Sequence, residues 1–432
     1  MQRLLSEDWE DMMNMIHNFN PCGNKISKPF IEVINVGQGD SIIIRFPPST
    51  YICDNDTYII DLGSGSVNVS DYVKNEKVSI VMTHHHSDHV GGFKYFAGKM
   101  DHVKSVILPY CQNEITLIAK ALLNLKGLAE ATDCAEFIND LNGIVNDQLY
   151  MNSVSKEYGS HILRYIHEGS HIGNNIDCLN PPNNLERFDW LNELNNADLK
   201  ELLDQLFTPE YSETIRAYMT EIRMIDRSEE RSARSFDRSM SEKFDFWLSE
   251  FGENEEYPNL WHELILSRAN FVYGFILRNI PLIQDFNRTS SRKSMRKLYT
   301  RFVKSTHDAC IVLKASCAGS SFLLTGDASA KVFNRLLNEG KDISADYLKM
   351  PHHGSKNNIS SSILDAIAPK VAIISHKNGR FNRSKDTHPN TETLDLLRKR
   401  HVKILITNDV IKNGVVVMHK GRHCKDSMVQ ID

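Results

Sequence analysis

The chain has 432 residues, more than one ordinary core of about 100 to 200 residues needs, so a large core with an insertion is expected. Hydrophobic residues make up 41% and charged residues 24% of the chain, a composition typical of soluble globular proteins. The net charge is −5, so the overall electrostatic field of the protein does not attract nucleic acid. Any binding of nucleic acid must therefore come from local basic patches.

The N-terminal residues 1–27 are acidic and amphipathic, and we predict a helical extension there that lacks the features of a signal peptide. The longest apolar stretch, 269–286, is interrupted by Arg278, Asn279 and Pro281, so it does not reach the about 20 apolar residues of a membrane span. The eight cysteines include no CxxC pair, which indicates free thiols in a reducing compartment. These features predict a cytoplasmic protein that does not engage a membrane.

Two parts of the chain contain short runs of Val and Ile bounded by Gly, Asp or Asn, a pattern that indicates β-strands. The first part, 28–112, contains FIEVINV, SIIIRF, TYIIDLG, VSIVMTH and VKSVILPY, and the second, 306–432, contains ACIVLKAS, SFLLTGD, ADYLKMPHHG, VAIISHK, KILITND and GVVVMHK. Residues 113–305 between them have apolar residues at the helical period. We therefore predict an α/β core formed by 28–112 and 306–432, and a mostly helical insertion subdomain at 113–305.

The segment VMTHHHSDHVGG, residues 81–92, places four histidines and an aspartate directly after an apolar strand. If the strand continued, His84 and His86 would point to one face, and Asp88 and His89 would follow in the turn. Imidazole and carboxylate groups together suit Zn²⁺, Mn²⁺ or iron. Two such pairs side by side predict a site for two metal ions.

Further candidate ligands recur at the ends of other predicted strands. Asp327 follows the strand in SFLLTGDAS, His352 and His353 follow the strand in DYLKMPHHGS, and Asp61 follows the strand in YIIDLGSG. A single aspartate after a strand is usually a turn former, and a single histidine pair is usually surface polarity. Their joint recurrence in both halves of the core indicates instead that they complete the metal site.

These motifs resemble those of the metallo-β-lactamase fold superfamily. The segment HHHSDH matches its HxHxDH motif, and five further stretches resemble the ComEC-type competence nuclease domain within that superfamily: INVGQGDSIII, YIIDLGSG, FLLTGDAS, LKMPHHGS and THPNTETLDLL. The resemblance covers about 28–112 and 306–420. It implies an αββα sandwich with a large, mostly helical insertion, and a two-metal site at one edge of the sandwich.

The resemblance also implies a role for each residue of the motif. It implies that His84 and His86 hold one metal ion, that Asp88 and His89 hold the other, and that Asp327 bridges the two ions. Either His352 or His353 completes the second site, Asp61 holds a ligand histidine in its tautomer, and His85 is not a ligand. The expected cofactors are two divalent metal ions, Zn²⁺ or Mn²⁺.

Such a site points to hydrolysis of phosphodiesters, in which Asp88 or Asp327 orients the attacking water and His388 protonates the leaving oxygen or binds phosphate. Phosphate substrates also need basic side chains. The candidates are Arg292, Lys293, Arg296 and Lys297 in the basic run 287–304, and Arg380 and Arg383 close to His388.

We therefore predict a metal-dependent phosphodiesterase, a ComEC-like nuclease acting on DNA, which would suit an effector of a repair or antiviral defence system. The rest of the insertion mixes both signs of charge and would suit docking of a protein partner. One alternative is a hydrolase of a small phosphodiester, such as a choline-phosphate ester or a nucleotide. The other is a non-catalytic, metal-stabilised binding module in a larger complex.

Overall fold

The computed structural model describes residues 30–47, 56–74, 76–173, 175–182, 196–217, 258–317, 319–376 and 388–407, and three further strands near the C-terminus. The predicted N-terminal extension, Arg380 and Arg383 lie outside these residues. Across the described ranges, no helix combines the length and the apolar character that crossing a membrane requires.

The described residues form sixteen strands, nine α-helices and six short 3₁₀ helices. The strands are β1 (Phe30–Ile34), β2 (Ile42–Phe46), β3 (Asp56–Ile60), β4 (Val78–Val81), β5 (Val103–Pro109), β6 (Leu163–Ile166), β7 (His171–Ile172), β8 (Ile176–Asn180), β9 (Val312–Cys317), β10 (Ser320–Leu324), β11 (Tyr347–Lys349), β12 (Val371–Ile374), β13 (Lys403–Ile406), β14 (Asp409–Lys412), β15 (Val415–Met418) and β16 (Met428–Ile431). The α-helices are α1 (Ser87–Val90), α2 (Gln112–Leu123), α3 (Ala135–Tyr158), α4 (Asn196–Leu206), α5 (Pro258–Thr289), α6 (Arg292–Asp308), α7 (Ala330–Asn338), α8 (Ser361–Ile367) and α9 (Thr391–Lys399). Short 3₁₀ helices lie at Val69–Val73, Gly91–Tyr95, Met100–His102, Lys126–Glu130, Ser160–Ile162 and Pro351–Gly354.

The chain divides into two units. The first comprises Met1–Val106, Gly173–Ile176 and Val312–Asp432, and the second comprises Ile107–Ile172 and Asp177–Ile311. The sequence analysis placed the boundaries of the insertion close to these limits, after residue 112 and before residue 306. The second unit contains short strands as well as helices, namely β6, β7 and most of β8.

Two mixed sheets form the first unit. One has the strand order β16-β1-β2-β3-β4-β5, in which β3 and β4 are parallel and the pairs β16–β1, β1–β2 and β2–β3 are antiparallel. The other has the order β13-β12-β11-β10-β9, in which only β9 and β10 are antiparallel. The fold class is therefore mixed α/β with two mixed sheets.

The central strands are buried on both faces, which explains their continuous apolar sequences. Every residue of β2 and of β4 is buried, whereas a sheet with one wet face would show alternating polar residues. Parallel strands bring their carboxyl ends to the same edge of a sheet. The ends of β3 and β4 therefore meet in one sheet, and those of β10, β11 and β12 meet in the other.

In the second unit, helices pack around buried aromatic and aliphatic side chains. The helix α2 contacts α3, α5 and α6, and α5 contacts α6. Met295, Leu298 and Phe302 of α6 are fully buried, while the basic residues between them are exposed, which is the amphipathic pattern of a surface helix. The side-chain amide of Asn180 donates to the carbonyl oxygens of Asp308 (3.0 Å) and Cys310 (2.7 Å) and so connects β8 to the end of α6.

A buried ionic network crosses the first sheet. The guanidinium of Arg45 on β2 forms an ion pair with Glu32 of β1, donates to Glu76 at 2.9 Å and donates to the carbonyl oxygen of Tyr72 at 2.7 Å. The hydroxyl of Thr57 on β3 also donates to Glu76, at 2.6 Å. Burial raises the pKa of Glu32, although Arg45 opposes that shift. The network therefore depends on Arg45 as its only described cation.

We predict that Arg45→Ala lowers the free energy of unfolding by about 3–5 kcal/mol, because it leaves the buried carboxylate of Glu32 and the half-buried carboxylate of Glu76 without a counterion. Urea denaturation would measure this loss. Arg398→Ala is the matched control, because Arg398 pairs with Asp395 at an exposed position and its removal is expected to cost less than about 1 kcal/mol. Equal losses in the two variants would contradict the proposed role of the network.

Candidate metal centre

The candidate site lies where strands of both sheets of the first unit end. Asp61 directly follows β3, and the segment from Thr83 to His89 follows β4. Asp327 follows β10, and His352 and His353 follow β11. The residues that the sequence singled out at strand ends therefore come together in space.

The local structure of the histidine segment differs from the sequence expectation in one respect. The strand β4 ends at Val81, so His84 and His86 do not share one face of an extended strand. They lie in the loop before α1, with His84 Nε2 3.1 Å from His86 Nδ1. Asp88 and His89 lie within α1 rather than in an open turn. The backbone turns here because His86 is the N-cap and its carbonyl accepts from the N–H of His89 at 2.8 Å.

Six potential ligands that the sequence singled out fall into two groups in the first unit. The first contains His84, His86 and Asp327, and the second contains Asp88, His89 and His353. Within each group, one potential ligand atom from each residue lies within 4.8 Å of the others. Imidazole nitrogens and carboxylate oxygens in groups of three suit zinc or manganese, and a site with three protein ligands leaves coordination positions for substrate.

Asp327 lies between the two groups and presents one oxygen to each. Its Oδ2 is 3.8 Å from His84 Nε2, whereas its Oδ1 is 3.3 Å from His89 Nε2 and 4.0 Å from His353 Nε2. The carboxylate is almost fully buried. A single carboxylate with this orientation can join two cations a few ångströms apart.

Hydrogen bonds set the tautomers of the histidines in the second group. His353 Nδ1 donates to the carbonyl oxygen of Ser375 at 2.8 Å, so its Nε2 is the potential ligand atom and lies 3.2 Å from Asp88. His89 Nδ1 lies 2.7 Å from Asp61, which also accepts from the backbone N–H of Thr83 at 2.7 Å. Asp61 is thus in contact with the side of His89 that faces away from Asp327.

His352 and His353 occupy different environments. His353 is buried and belongs to the second group, whereas His352 is half-buried and lies with Nε2 3.7 Å from Asp327 Oδ2. The ring of His352 also lies 4.7 Å from the ring of His388, measured between centroids. The geometry therefore favours His353 as the ligand of the second group and puts His352 and His388 at its half-exposed rim.

Strained backbone occurs at the site. Asp61, His352 and His353 have φ values of 59°, 47° and 53°, in the left-handed region that residues with a side chain rarely adopt. Each such residue costs about 1–3 kcal/mol and persists only where its surroundings require it. The hydrogen bonds of Asp61 and His353 hold this conformation, because they direct both side chains into the cluster.

The carboxylates and imidazoles hold each other in charged forms. Burial opposes the charge on His89, but Asp327 and Asp61 raise the pKa of its ring well above the ordinary value. Burial likewise opposes ionisation of Asp327, but the imidazoles of His89, His352 and His353 lower the pKa of its carboxyl well below the ordinary value. A divalent cation would replace these protons as the counter-charge of the carboxylates.

Two histidines near the cluster have lowered pKa values instead. Burial lowers the pKa of His85 to about 4, and burial together with the neighbouring His352 lowers the pKa of His388 to about 4. Neutral imidazoles are therefore expected at both positions near neutral pH. In this protonation state His388 can donate a hydrogen bond to a phosphate oxygen.

Sequence reasoning did not single out Asp40. It lies in the loop after β1, and its carboxylate forms a possible metal-ligand group with Asp61 and His89 and another with Asp327 and His353. Its side chain is buried and forms an ion pair with Lys349. The signal was present in GQGDS, where an aspartate follows a strand and a glycine, as Asp61 and Asp327 also follow strands.

The predicted substrate-binding residues of the described chain lie on α6. Arg292, Lys293, Arg296 and Lys297 are all exposed. The guanidinium of Arg292 forms an ion pair with Glu136 of α3 at 2.6 Å. Lys293, Arg296 and Lys297 form no ion pair within 4.0 Å in the part of the chain that the structure describes, and Lys304 on the same helix forms none either.

Comparisons with known proteins give partial matches to bacterial competence and recombination proteins. The chain is 34% identical over 113 residues to ComE operon protein 3 of Bacillus subtilis, which is 26% of this chain and 14% of that protein. It is 43% identical over 83 residues to recombination protein 2 of Haemophilus influenzae, which is 18% of this chain and 10% of that protein. It is 29% identical over 125 residues to competence protein ComA of Neisseria gonorrhoeae, which is 29% of this chain and 16% of that protein.

These matches are to short parts of longer relatives, since the matched segments span less than a fifth of each relative's length. No family model matches the chain. The comparisons therefore support a relationship with competence-type proteins in the matched segments.

Gly39 is the residue through which the loop of Asp40 contacts α1. Its φ of +117° is unfavourable for any residue with a side chain, and an added Cβ would lie 1.9 Å from the carbonyl oxygen of Asp88. We predict that Gly39→Ala displaces Asp88, lowers the melting temperature and weakens metal binding. Gly98→Ala is the control, because a Cβ at Gly98 has nothing within 4 Å. Calorimetry and zinc titration of both variants would test this, and wild-type behaviour of Gly39→Ala would contradict it.

Proposed function

We propose that the chain binds two divalent metal ions and hydrolyses phosphodiester bonds, with DNA as the substrate. The observation that carries this proposal is the orientation of Asp327, whose two carboxylate oxygens face two different groups of potential ligands. A site for one structural ion would have little use for such a carboxylate. We further propose that the two sheets form an αββα sandwich of the metallo-β-lactamase type.

In this proposal, His84, His86 and Asp327 hold one ion, and Asp88, His89, His353 and Asp327 hold the other. The bound ions would supply Lewis acidity toward a phosphodiester and an attacking water. The protein residues keep the ligand nitrogens in place, since Asp61 and the carbonyl of Ser375 contact Nδ1 of His89 and of His353.

The half-exposed residues indicate the side from which a substrate approaches. His86, Asp88, His352 and His388 are half-buried, whereas His84, His89, Asp327 and His353 are buried. Asp88 is thus a ligand candidate within reach of solvent, and it can accept a hydrogen bond from an attacking water. His352 and His388 can donate hydrogen bonds to phosphate oxygens at the same rim.

Two observations support nucleic acid as the substrate class. The names of two of the similar proteins refer to competence and to recombination. In addition, the exposed face of α6 carries Lys293, Arg296, Lys297 and Lys304. Lys293 and Lys297 are four positions apart, which separates them by about 6 Å along the helix axis. A row of such cations suits the regularly spaced phosphates of a nucleic acid strand. The charge of Lys297 is partly offset by Asp285.

We predict that the purified chain carries close to two zinc or manganese ions, and that chelation abolishes cleavage of DNA until metal is restored. Asp327→Asn is nearly isosteric but neutral, so it should reduce bound metal and lower the cleavage rate by about 100-fold or more. Elemental analysis and a plasmid cleavage assay measure these effects.

His85→Gln and Asp395→Asn are the controls for this experiment. His85 lies inside the histidine segment but in neither ligand group, and glutamine limits the cavity that a shorter residue would leave at this buried position. Asp395 is an exposed aspartate far from the ligand groups in sequence. Full activity of Asp327→Asn, or the absence of metal from the wild-type chain, would refute the two-metal proposal. Cleavage of small phosphodiesters but not of DNA would refute the substrate assignment alone.

The cations of α6 should contribute to DNA binding through phosphate contacts. Lys293→Gln combined with Lys297→Gln should reduce the slope of log affinity against log salt by about two, since each phosphate contact contributes about 0.9. Lys156→Gln combined with Lys200→Gln is the matched control, because both residues are exposed lysines of the second unit and the change of net charge is identical. Equal salt slopes for the two double variants would exclude α6 as a phosphate-binding face.

A further inference from the structure

A lysine is buried next to the candidate metal centre. Lys349 is the last residue of β11, and its side chain is 1% exposed. Its ammonium forms an ion pair with Asp40, whose side chain is 2% exposed, and donates to the carbonyl oxygen of Met350 at 3.0 Å. The pair therefore connects the loop after β1 in one sheet to the end of β11 in the other.

The carboxylate of Asp40 lies behind both histidines of the second ligand group. Its Oδ2 is 3.9 Å from Nδ1 of His89, and its Oδ1 is 3.7 Å from Nδ1 of His353. Neither distance is a hydrogen bond, and within the described residues Asp40 Oδ1 accepts none, although it is buried. Asp40 thus places negative charge at the Nδ1 edge of both rings, opposite the Nε2 atoms that face the centre.

This charge favours a proton on Nδ1 of both rings. A proton at Nδ1 leaves the Nε2 lone pair free for a metal ion, and a nearby carboxylate makes that nitrogen a stronger ligand. Asp61 and the carbonyl of Ser375 contact one ring each, whereas Asp40 faces the two rings together. It is the carboxylate that both histidines of the second group share on their outer side.

Lys349 fixes the orientation of Asp40. A buried carboxylate without a counterion is strongly unfavourable, and its side chain would turn away from this position. The ammonium contacts Asp40 and the carbonyl of Met350, which precedes Pro351 and the two histidines. The orientation of Asp40 is thus coupled to the segment that carries His353.

We propose that Asp40 and Lys349 are positioning residues that orient His89 and His353 for the second metal ion. The proposal rests on the two-metal centre proposed above. A merely structural ion pair predicts a different behaviour, because a buried pair can often be replaced by neutral residues of similar size without loss of stability. A positioning pair must lose metal affinity on such replacement even where the fold is retained.

The test is the double variant Asp40→Asn with Lys349→Met, which removes both charges and keeps both side-chain volumes similar. Thermal unfolding of the metal-free protein should be close to that of the wild type. Zinc titration against a competing chelator should show one of the two ions bound about 10- to 100-fold more weakly, with the other unchanged. The matched control is Asp346→Asn with Lys370→Met, an Asp–Lys pair at 2.7 Å whose lysine is exposed and whose aspartate is half-buried, which should change neither zinc affinity.

Three outcomes would overturn the proposal. If the double variant binds both zinc ions as the wild type does, the pair is structural only. If the melting temperature and both affinities fall together, the effect is general destabilisation. If the wild-type chain binds no zinc, the two-metal centre fails and this proposal fails with it. If the double variant does not fold, thermal unfolding and zinc titration of the single variant Asp40→Asn provide the same test.

Discussion

The first unit has to accommodate several carboxylates in one small, mostly buried region. Asp40, Asp61 and Asp327 are buried, Asp88 is half-buried, and each lies within a few ångströms of a histidine of the cluster. Like charges at such distances repel strongly where water is excluded, so their ionised forms require counter-charges. Lys349 and the imidazoles provide part of that charge in the structure, and divalent cations would provide more.

This requirement explains why the strand ends carry the strain and the close contacts of the site. Left-handed backbone at Asp61, His352 and His353 directs their side chains into the cluster. Gly39 allows the loop of Asp40 to contact the backbone of Asp88. These local costs are offset by the cores of the two sheets, whose central strands are buried along their whole length. Rigid sheets thus hold an arrangement that a loop by itself would not keep.

The two buried ionic systems of the first unit differ in what surrounds them. The Arg45 network pairs a guanidinium with two glutamates and a backbone carbonyl, and its acceptors face that one cation. The Lys349 pair involves a carboxylate whose second oxygen faces His353, a candidate ligand. The Arg45 network is explained as a stabilising contact between neighbouring strands. In the Lys349 pair, by contrast, one oxygen of Asp40 accepts no hydrogen bond within the described residues and faces the candidate centre.

Much of the site follows from the sequence, because strand ends are marked locally. Apolar runs of Val and Ile end at Asp61, at the histidine segment, at Asp327 and at His352–His353, and each end is visible in four or five residues. Parallel strands bring such ends to one edge, so the grouping of these residues could be predicted without coordinates. The helical period of 287–304 likewise indicated an exposed basic face on α6.

The tertiary structure decided what depends on contacts between residues distant in sequence. It distinguished His353 from His352 by burial and by the bond to Ser375, and it brought Asp40 to the back of His89 and His353. It also showed that the exposed Arg292 forms an ion pair with Glu136, whereas Lys293, Arg296 and Lys297 form none within the described residues. A sequence pattern reports periodicity and local turns, but the direction of a side chain at a strand end depends on packing between the sheets. That packing is set by residues hundreds of positions apart, and so no local signal carries it.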